Sequence, residues 1–303
     1  MTKFARPVNI YRGKMKRIKT ASELRSELHR QQGKTRGMVP TMGALHAGHL
    51  SLVERSVNEN ELTVVSIFVN PTQFNNADDL VKYPRTLEAD LEILSGLLGH
   101  GDIVFIPEAD DIYHNEEMPQ VELGHLNSIM EGEHRPGHFM GVVRIVKILF
   151  DLCEPGRAYF GRKDFQQLAV IRTMVKQAGL NTEIIDCPII REDKGLAMSS
   201  RNERLPAEMR SRAGIIYHTL KKYSEQEMPF DPGEWKRKVS EEINKEEGFS
   251  VEYLELVDDE ELKPVHEERD ISRERDYTAC IAVYAGDVRL IDNVKFSFLF
   301  PKG

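Results

Sequence analysis

The alternation of apolar and polar positions divides the chain into two differently built stretches. Up to about residue 190, short β-branched runs alternate with longer segments of helical period. Residues 37–41, 62–70, 102–107, 158–161 and 182–190 read as strands, and the run LTVVSIFVN at 62–70 is apolar enough for a strand covered on both faces. Between them, Thr20 with Glu23 forms a capping box for a helix ending near Gly33. Leu45, Leu50, Val53 and Val57 mark an amphipathic helix over 45–60. Further helices are expected over 84–101, with Pro84 near its start and glycines at its end, and over 141–152 and 163–179. Strands alternating with helices predict a parallel sheet joined by right-handed crossovers. After residue 190 the order changes to helices over 206–224 and 231–247, followed by strands over 251–258, 277–286, 288–293 and 294–298. That order predicts a small α+β domain. The charged stretch 258–276 reads as a surface connection, and no internal repeat is visible.

At 303 residues the chain is long enough for two such domains. It has no run of eighteen apolar residues, so no membrane span is expected, and its N-terminal stretch lacks the apolar core of a secretory leader. Cys153, Cys187 and Cys280 are odd in number and scattered, which fits a reducing compartment better than a disulfide framework. A formal net charge of -8 argues against nucleic acid as the main partner, and it requires any anionic substrate to be held by a local positive site. Residues 1–20 are the exception, with seven Lys or Arg and no acid, and read as a solvated tail.

The candidate chemistry begins in TMGALHAGHLSLVERS, residues 41–56. His46 and His49 are three apart and share a helical face, so a zinc pair is geometrically possible. It lacks a further ligand and the glutamate of H-E-x-x-H. A packed pair of structural histidines is a second reading. A phosphate site is the third, and the local order favours it, since strand, glycine turn and helix start bring unpaired N–H groups and the positive helix end together. In that reading Gly43 permits the turn, and Gly48 lets a phosphate or base approach the backbone.

This segment resembles the HxGH signature of the nucleotidylyl-transferase superfamily. With SIFVNPTQF (66–74), YPRT (83–86), RPGHF (135–139), FGRKDFQQ (160–167), GLAMSSRN (195–202) and RLIDN (289–293), the chain resembles the pantothenate synthetase family from about Met15 to near the C-terminus. Residues 1–14 lie outside the resemblance. The resemblance implies condensation of pantoate with β-alanine, driven by ATP through a pantoyl adenylate, with Mg²⁺ accompanying the triphosphate. It further implies a cytoplasmic homodimer with a Rossmann-like domain over 1–189 and a smaller α+β lid over 190–303. The alternative within the superfamily is a nucleotidyltransferase that keeps the adenylyl group on its product.

The resemblance also assigns residues. His49, His46 and Lys163 would be catalytic, with His49 as proton donor. ATP would meet Met42, Gly43, Ala44, Leu45, His46, Ala47, Gly48 and His49 in the first turn, and Gly161, Arg162, Lys163 and Asp164 after the strand at 158–161. Ile190, Met198, Ser199, Ser200 and Arg201 would complete that site. Pantoate would meet Gln73, Gln167, Arg135 and His138, and β-alanine would meet Gln73; carboxamides suit a hydroxy acid because they donate and accept without burying a charge. Asn70 is a weaker candidate. Asp90 matches an acid that helps hold Mg²⁺, although a lone helical Asp also reads as solvated. Without the resemblance, Lys163 with Gln167 equally reads as a surface pair and MSSR as a helix N-cap. Two departures from the family pattern stand out: Arg162 where an acid is usual, expected to add positive potential beside Lys163, and Thr72 before Gln73, expected to alter the pocket wall.

Overall fold

The computed structural model describes residues 14–113 and 118–299, so residues 1–13 of the basic N-terminal stretch lie outside the described residues. The first part runs β1 (Lys16–Ile18), α1 (Ala21–Arg30), β2 (Arg36–Thr41), α2 (Ala47–Glu59) and β3 (Leu62–Ile67). It continues through α3 (Ala77–Lys82), α4 (Leu87–Ser95), β4 (Ile103–Phe105), α5 (Ala109–Tyr113), α6 (Met130–His134), α7 (His138–Cys153), β5 (Arg157–Gly161), α8 (Phe165–Gln177) and β6 (Glu183–Cys187). Its six strands pair all-parallel in the order β1-β4-β3-β2-β5-β6. All six residues of β3 are buried, as its unbroken apolar run demands of a strand with helices on both faces. Helix α7 lies against this sheet with Phe139, Val143, Leu149 and Phe150 almost wholly enclosed. Each such side chain contributes roughly 1.5–3 kcal/mol of burial.

The strand order reverses direction at β2, whose neighbours are β3 and β5. Strands β2 and β5 pair only through Gly37 with Arg157 and Met38 with Ala158. Beyond those pairs they part, and a crevice opens at their carboxyl ends, where doubly wound sheets bind ligands.

The second part holds α9 (Ala207–Arg212), α10 (Ile215–Lys222), β7 (Glu225–Glu227), α11 (Pro232–Asn244), β8 (Phe249–Asp258), β9 (Tyr277–Ala285) and β10 (Val288–Leu299). Strands β8, β9 and β10 form an antiparallel sheet with β7 added parallel to β10. Its core gathers Trp235, Phe230, Phe296 and Leu256. Val257, Leu262 and Cys280 instead join the core of the first part, so the two sheets share an apolar seam.

Several expectations need adjusting. The 206–224 helix is two helices, because Ala213 and Gly214 form a turn where the Lys194 carbonyl occupies the space a side chain would need. The strands 288–293 and 294–298 are one strand, β10. The short edge strands β1 and β7 carry too few apolar residues to register as periodic. Helix α2 buries Leu52, Val53 and Ser56, whereas Leu50 is only half-buried. The inward face includes polar Ser56 because its hydroxyl pairs with Thr63 at 2.9 Å.

Candidate active site

The turn after β2 is fixed by a buried carboxylate. Gly43 (φ 80°) and Ala44 (φ 49°) both lie in the left-handed region, a conformation that costs Ala44 energy. Asp90, on α4 and only 2 % exposed, holds it by accepting from the N–H groups of Ala44 (2.9 Å) and Leu45 (2.8 Å). Its Oδ1 also accepts from Thr86 at 3.1 Å. The expectation that Asp90 helps hold Mg²⁺ therefore needs correction. Its oxygens already hold the turn, it does not line the cleft, and among the described residues no group of three or more His, Cys, Asp or Glu could hold a metal ion.

Helix α2 starts at Ala47 with His46 as its N-cap. The His46 N–H donates to His49 Nδ1 at 3.4 Å, which leaves His49 its proton on Nε2. The two rings lie with centroids 4.1 Å apart. Gly48 lines the cleft, and a Cβ there would meet the His46 ring at 2.9 Å, so a glycine also leaves room for that imidazole. Burial pushes His46 down to about 4, helped by the Lys163 charge. Burial likewise pushes His49 down to about 3, with His46 and Lys163 adding to it. Both rings are thus neutral at pH 7 and act as N–H hydrogen-bond donors.

Across the crevice, β5 ends at Gly161 and the chain turns through Lys163 into α8, with Phe165 and Leu168 buried beneath. Lys163 and Gln167 face the crevice, and the nearest acid to the Lys163 ammonium is Asp164 at 3.6 Å. Arg162 does not face it. Its guanidinium turns toward the second sheet and pairs with Asp259 (3.0 Å) and Asp186 (3.5 Å), stacked over Phe165. The ATP contact and the added positive potential expected of Arg162 are therefore corrected, because two carboxylates already neutralise that charge away from the cleft.

The segment MSSR closes the third side. Ser199 N-caps a short turn, accepting from the Arg201 N–H at 3.2 Å, so the capping and loop readings both apply. Ser200 donates to the Ala44 carbonyl at 3.0 Å, and Arg201 pairs with Asp79 of α3 at 2.7 Å.

The opposite wall follows β3. Asn70, 1 % exposed, is a hub that the sequence alone ranks too low. Its amide donates to Gln73 Oε1 (3.0 Å) and the Gly141 carbonyl (3.1 Å), while its oxygen accepts from Tyr113 (2.5 Å) and Thr72 Oγ1 (2.8 Å). Thr72 therefore braces Asn70 and does not form the pocket wall.

Together these elements line one cleft, including Met42, His46, Gly48, His49, Asn70, Gln73, Gly161, Lys163, Asp164, Gln167, Ile190, Met198, Ser199, Ser200 and Arg201. Gly43, Ala44, Leu45 and Ala47 form its supporting turn without lining it. Arg135 and His138 line a smaller adjoining cavity, which shares Lys163, Asp164 and Gln167 with the cleft. His138 donates from Nδ1 to the Gln73 carbonyl at 2.7 Å, and burial followed by the Arg135 charge pushes it down to about 4. Sequence reasoning assigns no role to Tyr83 and Phe68, though they lie in the YPRT and SIFVNPTQF segments, and it misses Val142 and Val146, apolar walls with no local signature to mark them.

A crevice at the switch point of a parallel sheet, opened by an HxGH turn and lined by Lys163, Arg201 and the carboxamides of Gln73 and Gln167, is the site of a nucleotide-dependent enzyme. A family model for pantoate-beta-alanine ligase matches residues 15–295, and the chain belongs to that family. A pantothenate synthetase of Bacteroides fragilis (strain YCH46) is 50% identical over 284 residues, covering 93% of this chain and 99% of that protein. The crystal structure of pantothenate synthetase from Thermus thermophilus superposes with a TM-score of 0.83 at 38% identity, covering 93% of this chain and 100% of that one. A pantoate-beta-alanine ligase from Francisella tularensis, complexed with beta-gamma ATP and beta-alanine, gives a TM-score of 0.74 at 34% identity, covering 93% of this chain and 97% of that one.

Proposed function

We propose that this chain joins pantoate to β-alanine with ATP, releasing AMP and diphosphate, and that both steps run in the one cleft. The observation that carries this reading is the cleft's polar lining. His46, His49, Lys163 and Arg201 line it as donors suited to phosphate, and the carboxamides of Gln73 and Gln167 line the same cleft. In the first step the pantoate carboxylate attacks the α-phosphorus of ATP, and negative charge grows on phosphate oxygens and on departing diphosphate. The N–H groups of His46 and His49, the Lys163 ammonium and the Arg201 fork are preorganised donors for that charge. Gln73 and Gln167 suit the hydroxyl groups of pantoate, and Phe68, Val142 and Val146 suit its methyl groups. In the second step the β-alanine amine attacks the acyl carbon, and AMP leaves as a far better leaving group than the free carboxylate offers.

Among the described residues no group of three or more His, Cys, Asp or Glu could cage Mg²⁺, and the cation would arrive with the triphosphate as part of the substrate. We place the lid after residue 190. A homodimer in the cytoplasm belongs to the same reading, and sedimentation of the purified chain tests the dimer. Among the described residues no helix is long and apolar enough to cross a membrane.

Product analysis with ATP, pantoate and β-alanine tests the reaction, which should yield AMP and the amide in equal amounts. An adenylylated product that persists would overturn it in favour of a nucleotidyltransferase. The two-step order predicts exchange of labelled diphosphate into ATP with pantoate alone. Exchange that requires β-alanine would mean a concerted reaction.

A further inference from the structure

We propose that Asn293, a residue of the second sheet, is a positioning residue for Lys163. The RLIDN segment (289–293) lies in β10, and Asn293 is 3 % exposed at the junction with the first sheet. Its side-chain Nδ2 donates to the carbonyl of Arg162 at 2.9 Å and to the carbonyl of Lys163 at 3.0 Å. These are the two peptide groups flanking the Lys163 Cα. Because each peptide unit is planar, fixing both fixes the direction in which the Lys163 side chain leaves the backbone.

Other bonds hold the turn in part. Arg162 N–H bonds the Cys187 carbonyl at 2.8 Å, and Asp164 N–H, in the same peptide plane as the Lys163 carbonyl, reaches the Gly161 carbonyl at 3.2 Å; Asn293 adds a second hold on that plane and ties it to the plane before Lys163. Asn293 is itself anchored through its neighbour. Asp292 accepts from the Asn293 N–H at 2.7 Å and is gripped by both Arg191 nitrogens at 2.6 and 2.9 Å. An amide nitrogen carries two hydrogens and serves both carbonyls; a hydroxyl carries one, and a carboxylate none. The second domain thereby sets the aim of the phosphate lysine. A shift of about 1 Å at a group distant from the chemistry can cost a hundredfold in rate.

The proposal rests on Lys163 serving the phosphates, and a double-mutant cycle keeps the two claims apart. Pantoate-dependent diphosphate–ATP exchange is measured for wild type, Asn293→Asp, Lys163→Ala and the double variant. Asn293→Asp should lower the exchange kcat by about tenfold to a hundredfold while the pantoate KM stays within roughly twofold. In the Lys163→Ala background the same substitution should cost less than about threefold, because no lysine remains to be aimed. Asn293→Ser, able to serve one carbonyl, should fall between wild type and Asn293→Asp, and it carries the cycle if the aspartate variant does not fold. An equal loss in both backgrounds would make Asn293 a merely structural residue and overturn the proposal. Normal exchange by folded Lys163→Ala would remove the phosphate role of Lys163, and the positioning claim with it.

Discussion

The turn after β2 and the junction between the two sheets both keep polar groups out of water, by opposite means. On the cleft face of the turn, and across from it, the donors are left partly unused. His46 and His49 are uncharged, His46 Nδ1 is buried with no hydrogen-bond partner, and Lys163 has only a loose contact with Asp164. At the junction the groups are formally charged and matched to one another. Glu131 accepts both nitrogens of Arg289 (2.9 and 2.7 Å), the Tyr253 hydroxyl (2.9 Å) and Arg135 (3.2 Å), and its carboxyl is held down at about 2, its burial outweighed chiefly by Arg289. The contrast separates a binding surface from a joint. A site that must receive a polyanion keeps donors free, whereas a joint that must hold two domains satisfies its charges internally.

The joint should therefore show the largest effect on stability. Glu131→Ala leaves Arg135 without its carboxylate and Arg289 with Glu252 alone (2.8 Å), and loss of one member of a buried ion pair typically costs about 3–5 kcal/mol. Urea unfolding should show that loss. A change below about 1 kcal/mol, the range of surface pairs, would mean the cluster is effectively solvated and the contrast is wrong.

The turn should show the reverse, lost rate with kept fold. His49→Ala and Lys163→Ala should each slow diphosphate exchange by a factor on the order of a hundred, as loss of a preorganised donor does. Their thermal midpoints should stay close to wild type. Near-normal exchange by folded His49→Ala would remove the floor assignment.

The same contrast explains what is legible in the sequence. The HxGH turn, the carboxamide of Gln73 and the MSSR cap are local, and each lies in a few consecutive residues beside a strand or helix whose period is plain. The junction is not local. Arg162 meets Asp259 across 97 positions and Arg289 meets Glu131 across 158, so no spacing rule connects them. Arg162 misleads for that reason, as neighbouring Lys163 suggests the cleft while its shorter pairing is with Asp259 beyond β8. Asp90 misleads because a single acid on a helix says nothing about two backbone amides 45 and 46 positions earlier. Edge strands β1 and β7, three residues each, are too short for any period to appear.

A pH experiment sharpens the comparison at the point where the two regions meet. His138 has its folded value lowered from 6.5 to about 4, so between those values the unfolded chain binds more protons than the folded one. Stability is fully present above pH 6.5 and falls as the pH drops toward 4, by on the order of 2 kcal/mol at pH 5 from this residue. His46 and His49 act in the same direction, whereas the lowered value of Glu131 matters only below its ordinary 4.5. His138→Asn should therefore flatten the stability profile between about pH 7 and 5 and leave its slope below about pH 4 unchanged. An unchanged slope between pH 7 and 5 would show that His138 is hydrated.

The smallest effect concerns Asp79, where a matched charge intrudes on the cleft. Its carboxylate pairs with Arg201 at 2.7 Å and Arg204 at 2.8 Å, so the one cleft arginine is already engaged before any phosphate arrives. Triphosphate must compete with that carboxylate for the Arg201 fork. Asp79→Asn keeps the shape and removes the charge, so it should free Arg201 and lower the KM for ATP by roughly twofold to fivefold. That range corresponds to the roughly 0.5–1 kcal/mol of a partly solvated ion pair. The kcat for exchange should change little, because the arginine reaches the same phosphate in either variant. Helix α3, which carries Asp79, buries none of its own residues, so the substitution should leave thermal stability almost untouched. A rise in the KM for ATP would reverse the interpretation. Asp79 would then be a brace that aims Arg201 at the phosphates, as Asn70 braces Gln73, and the cleft would depend on matched charge as the junction does.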